Sequence, residues 1–125
     1  MMTDRALRIA IGLVGALMLV VTLRNWIDPS VLGANLGFAA TNTLGHASLR
    51  ADVGGFFGVA GLFSFGAAVR DDHRLLTAPL FLMIFALLGR TIALFAVPFD
   101  VVLVPPMVVE AGMVALFAVG RSRLG

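Results

Sequence analysis

Cysteine is absent from the chain, which excludes disulfides, thiol catalysis and thiolate metal sites and leaves the redox compartment open. Lysine is absent too. All nine cationic side chains are arginines, set mainly at the ends of apolar runs and never in a cluster that could grip a phosphate backbone, which speaks against a nucleic-acid partner. Charge is scarce overall: 13% of residues are charged against 60% hydrophobic, and the mean hydropathy is +1.04. A water-soluble domain does not have that composition. The missing lysine, beside abundant Ala, Gly, Val and Arg, suits a GC-rich bacterial genome and hence a bacterial cytoplasmic (inner) membrane.

What is present is apolar sequence in lengths that match a bilayer. The sequence predicts an all-α integral membrane protein, one four-transmembrane-helix bundle over residues 1–125. Its spans are expected at 6–23, 52–69, 75–97 and 101–120, with an extracytoplasmic loop at 24–49. Such spans of roughly 20 residues leave no room for a separate soluble domain. Arg5 and Arg8 ahead of the first run imitate a secretory signal. The run ends in the bulky TLRNWIDP without a small-residue cleavage site, so a retained helix is expected. The polar turn Arg70-Asp71-Asp72-His73-Arg74 divides the second span from the third, and Pro98-Phe99-Asp100 links the third to the fourth. Arg5, Arg8, Arg70, Arg74, Arg121 and Arg123 then collect on one side, with Arg24 and Arg50 on the other, so the positive-inside rule puts both termini in the cytoplasm. The loop mixes apolar with small polar residues. It suits a lid or short interfacial helix anchored by Trp26, and equally a collapsed loop over the outer end of the bundle.

Arg90 and Glu110 lie inside the third and fourth runs, where an ionised group costs a few kcal/mol and usually persists only when paired or used. At a rise of about 1.5 Å per residue, Arg90 lies roughly 10 Å below the outer end of its span. Glu110 follows closely on Pro106, an early helical residue, and so shares that outer half. Arg50 and Asp52 open the second span from the same side, so four groups, two of each sign, can converge there, with His46, Asn42 and Asn35 arriving from the loop. Glu110 and Asp52 are the candidate acids or bases, and Arg90, Arg50, His46 and Asn42 the candidate ligand-binding residues. One histidine near one carboxylate is too little for a metal site, and no cofactor is indicated. His73, in the cytoplasmic turn, is expected in solvent. The same charges equally suit an Arg90–Glu110 ion pair that fixes helix register, with Asp52 and Arg50 solvated at the interface.

Gly54 and Gly58 form a G-x-x-x-G face on the second span, extended by Gly61 and Ser64, which lets backbones approach closely. It is a helix contact and not a phosphate loop, because no strand precedes it and the G-K-[ST] ending is missing. The neighbouring phenylalanines Phe56, Phe57, Phe63 and Phe65 read as core or lipid-facing. Pro79 and the pair Pro105-Pro106 fall in first helical turns, where proline costs little.

The opening Arg50-Ala51-Asp52-Val53-Gly54-Gly55 with Gly61-Leu62, the Gly89-Arg90 of the third span and the Glu110 of the fourth resemble small DoxX-like four-helix bacterial membrane proteins. The likeness covers most of the chain through short motifs, with Asp52 where Glu is more usual and an extended first connection. It implies a four-helix bundle with its polar residues gathered inside, in a group whose better-known members are linked to quinone-dependent redox complexes. It implies no reaction. Three functions follow. The first is an outer-half pocket for a membrane lipid or other hydrophobic, amphipathic or isoprenoid-like molecule, with or without acid–base chemistry. The second is a structural or assembly subunit docked to a partner membrane subunit, or a homo-oligomer, through the glycine face. The third, a transporter or proton path, is the least favoured, because the inner halves of the spans offer little beyond Ser64 and Thr77.

Overall fold

The buried positions of the first helix, Leu7, Ile11, Gly15, Met18, Thr22 and Asn25, recur at spacings of three or four, which is one stripe of an α-helix. That helix, α1, spans Asp4–Ile27. Its counterpart α4, Gly54–Arg70, buries Gly54, Ala60, Gly61, Ser64 and Ala67. The two stripes face each other. A Cβ added to Gly15 would stand 2.5 Å from the backbone nitrogen of Phe65 and 2.9 Å from the carbonyl oxygen of Gly61. One added to Gly61 would stand 2.9 Å from both the Gly15 carbonyl oxygen and the Leu19 nitrogen, so the backbones touch where they cross.

This computed structural model describes residues 4–96, 98 and 100–123, which form helices and turns without a strand. Val97, the expected end of the third span, and Phe99 of the link after it lie outside the described residues. Between α1 and α4 the expected loop contains two short helices, α2 (Pro29–Leu36) and α3 (Thr43–Ser48). The caps are local. Asp28 accepts from the Ser30 backbone N–H, Pro29 supplies a preset first-turn φ, and Gly37 stops α2 in the left-handed conformation at φ 83°. The Ser30 hydroxyl and backbone N–H, both donating to its carboxylate, hold Asp28 below the ordinary aspartate pKa.

α3 runs without a break through a π-helical turn at Leu49–Val53 into α4. A 3₁₀ turn, His73–Leu76, leads into α5 (Thr77–Ala96), and another, Val101–Leu103, into α6 (Val104–Arg123). Pro79 and Pro105-Pro106 all fall in first helical turns, where the missing N–H leaves no helical hydrogen bond open.

Four helical stretches are long and apolar enough to cross a membrane: Asp4–Ile27, Thr43–Arg70, His73–Ala96 and Val101–Arg123. Their outward faces carry Leu13, Leu17, Phe85, Phe95 and Val108, the reverse of a bundle that meets water. One end of the bundle, here the terminal end, holds the start of α1, the turn from α4 to α5 and the close of α6. There Leu7, Ile11, Ala67, Leu76 and Phe117 are fully buried together. Arg8 ties that end by donating to the Ala68 carbonyl through Nη2 (2.8 Å) and pairing with Asp71 at 3.5 Å. Asp71 itself ends α4 with φ 52°, a left-handed conformation that aspartate tolerates better than most residues. The opposite, loop end gathers residues 27–53, 96, 98 and 100–104.

Candidate functional site

The loop half of the bundle is hollow. A cavity of about 450 Å³ lies between α4, α5 and α6, under Leu36 of α2. Phe56 and Phe57, edge to face at 5.4 Å, Met83, Ala86 and Met113 make its wall almost wholly apolar. Pro106 and Val109 complete it on α6. Three ionisable side chains line it: Asp52, Arg90 and Glu110.

Helix geometry explains why two of these meet. Arg90 stands six residues before the end of α5 and Glu110 six residues after the start of α6, so each lies about 9 Å inside the loop end. Antiparallel neighbours bring equal depths together, and the Arg90 Nε–H donates to Oε1 of Glu110. Glu110 is buried, 8% exposed, whereas the Arg90 side chain is 37% exposed. The contact uses one nitrogen and one oxygen, although guanidinium and carboxylate can pair through two of each. Oε2 of Glu110 is consequently buried with no hydrogen-bond partner among the described residues.

Asp52 arrives differently. It sits on the π-helical turn Leu49–Val53, a widened turn that swings one residue out of α-helical register and recurs at functional sites. It is exposed at the cavity mouth and also lines a neighbouring cleft of about 310 Å³ beneath the 38–41 segment. Arg90, Glu110 and Asp52 thus surround one space.

Arg50, His46 and Asn42 do not line it. Arg50 donates through Nε to the Trp26 carbonyl (2.9 Å), and the Trp26 indole N–H donates to the Arg50 carbonyl (3.1 Å), so this arginine pins the neck of the loop. Asn42 caps α3 by accepting from the Gly45 N–H at 2.8 Å. His46 lies exposed on α3. Asn35 borders a small separate hollow with Arg24 and Asp28. His73, expected in solvent, is instead half-buried, with Nδ1 enclosed and without a partner among the described residues.

The glycine face has a partner inside the chain. A Cβ at Gly58 would stand 3.5 Å from the Thr22 methyl, Gly61 meets Gly15 and Leu19, and a Cβ at Gly54 would strike the Trp26 indole nitrogen at 2.5 Å. Gly54, Gly58 and Gly61 therefore pack against α1.

Asn25, like Thr22, is a buried polar residue that no sequence motif marks. It is 1% exposed, donates from Nδ2 to the Leu49 carbonyl (3.0 Å), and anchors the start of the π turn that carries Asp52. Its spacing from Leu7, Ile11, Gly15, Met18 and Thr22 was the available signal, since it falls on the same stripe. No group of three or more metal-ligating side chains occurs among the described residues. No protein-family model, no curated protein and no solved structure matches the chain.

Proposed function

We propose that this is a small multi-pass membrane protein whose loop-end cavity holds an amphipathic molecule, lipid or isoprenoid-like, with its polar head at Arg90, Glu110 and Asp52 and its stem against the phenylalanines and methionines. The observation that carries this reading is Oε2 of Glu110, buried without a donor and belonging to a residue that lines the apolar cavity. A buried carboxylate oxygen left unpaired is unfavourable, and a small turn of the Glu110 side chain into the cavity would let a ligand head remove the penalty. The volume, about 450 Å³, falls in the range of small-molecule sites, roughly 300–1,000 Å³. Any acid–base step would run through Glu110 or, at the mouth, Asp52, with the Nη groups of Arg90 stabilising the negative charge that develops as a neutral head loses its proton. The DoxX-like motifs fit a membrane-embedded bundle of this kind, in a bacterial inner membrane with both termini cytoplasmic.

A structural subunit docked through the glycine face has less support, because that face is packed on α1. A proton path lacks steps toward the terminal end, where the buried Ser64 hydroxyl is returned to its own helix at the Ala60 carbonyl.

The test is mass spectrometry of molecules that co-purify with detergent-extracted wild type, Glu110→Gln and Ala86→Phe, each confirmed to be folded. A defined amphiphile retained by wild type and lost from Ala86→Phe, which fills the cavity without changing any charge, is the expected result. Bulk lipid alone, identical in all three, would sink the pocket.

A further inference from the structure

We infer that the cavity selects an amphiphile whose head donates hydrogen bonds and carries no negative charge, in class a long-chain alcohol or amine, over a fatty acid or phosphate ester. This rests on the pocket reading above and adds the sign and the hydrogen-bonding sense of the head.

The charges around the cavity are two carboxylates and one guanidinium. That guanidinium faces Glu110, to which its Nε–H donates. Arg50 turns away to the Trp26 carbonyl and Arg24 borders a different hollow, so neither lines this cavity. Arg90 is the single cation among the described residues that line the cavity, and an arriving carboxylate would place a third negative group beside it. Acceptors, by contrast, are left over. Oε2 of Glu110 is buried and without a donor among the described residues, and the exposed Asp52 lines the same cavity. A hydroxyl or an ammonium supplies what both lack, and an ammonium also balances the excess negative charge. The rest of the wall is apolar, so the head meets its partners where water competes weakly.

The experiment titrates the full chain, in nonionic micelles, with an alcohol, an amine and a carboxylic acid of one chain length, and reads binding by native mass spectrometry. Wild type is expected to hold the amine and the alcohol about tenfold more tightly than the acid, the scale of one charge-assisted hydrogen bond. Folded Glu110→Gln, which leaves Arg90 unmatched, is expected to lose or reverse that order. Asp52→Asn, a change at the exposed mouth, is expected to narrow the margin of amine over alcohol, and it serves if Glu110→Gln does not fold. Acid binding as tight as alcohol in wild type, or an unaltered order in folded Glu110→Gln, overturns the inference and leaves the pocket standing. Failure of all three ligands to bind overturns the pocket itself.

Discussion

Where α1 begins and α6 ends, an added methyl group has no room: a Cβ at Gly120 would run into the side chains of Ile11 and Leu76. Toward the other end, Gly89 of α5 and Gly112 of α6 are exposed, with nothing within 4 Å of where a Cβ would stand. The same contrast runs through the interior. Buried leucine, isoleucine and phenylalanine fill the terminal half, whereas the loop half encloses about 450 Å³ and an ion pair. The terminal half and the α1–α4 seam are where packing holds the fold. The space between α4, α5 and α6 is where the fold can accept something else.

The largest effect should come from forcing the closed seam apart. Gly15→Ala places a methyl against two backbone atoms of α4, which cannot yield as a side-chain tip would, and should cost about 3 kcal/mol. Unfolding in mixed micelles with increasing SDS reads this directly, and unchanged stability would mean that α1 and α4 do not cross there. Next comes one substitution made on both sides of the comparison. Ala67→Phe, at a fully buried position, should cost about 1–3 kcal/mol, while Ala86→Phe, projecting into the cavity, should stay within about 1 kcal/mol. Equal losses in the same assay would erase the distinction between a packed half and a hollow one. A smaller change, of opposite sign, is expected at the open positions. Gly112→Ala should stabilise by about 0.5–1 kcal/mol through helix propensity alone, and a loss would reveal a neighbour packed on that face.

The smallest effect is a pH response at the terminal end. The Arg74 side chain donating to Asp72, helped by the Arg74 backbone N–H, holds that carboxyl below the ordinary aspartate pKa. A lowered pKa in the folded state means stability present above the unfolded value and lost as pH falls through the folded one. Wild type should therefore lose slightly more stability than Asp72→Asn between neutral pH and pH about 3, and parallel curves would show that the turn contributes nothing.

Much of this was legible in the chain itself, for identifiable reasons. The lengths of the apolar runs gave four long helices, because bilayer thickness and helix rise together fix how many residues a span needs. Depth arithmetic placed Arg90 and Glu110 at one level, since antiparallel neighbours of similar length align by their ends. Less was legible where a side chain had two places to go. Arg50 sits two residues from Asp52, yet it turns to the Trp26 carbonyl, a choice set by the path of a long loop that no periodicity encodes. Gly54 and Gly58 announce a close approach without naming what approaches, and the answer, α1 with its own Gly15, needed the fold. Asn42 reads equally as a ligand and as a helix cap until its neighbour Gly45 is placed.

The two reciprocal hydrogen bonds between Trp26 and Arg50, reinforced by Asn25 on Leu49, close the chain into a ring at the neck of the loop. Residues 28–48 inside that ring hang from a fixed gatepost. Their length and composition can drift at little cost to the bundle, because closing a longer loop over an already fixed pair of ends adds only slowly to the entropy lost. Leu36, which roofs the cavity, belongs to this segment, while Arg90 and Glu110, which form its polar wall, belong to the bundle. The roof of the cavity can therefore change in sequence without rebuilding its polar wall.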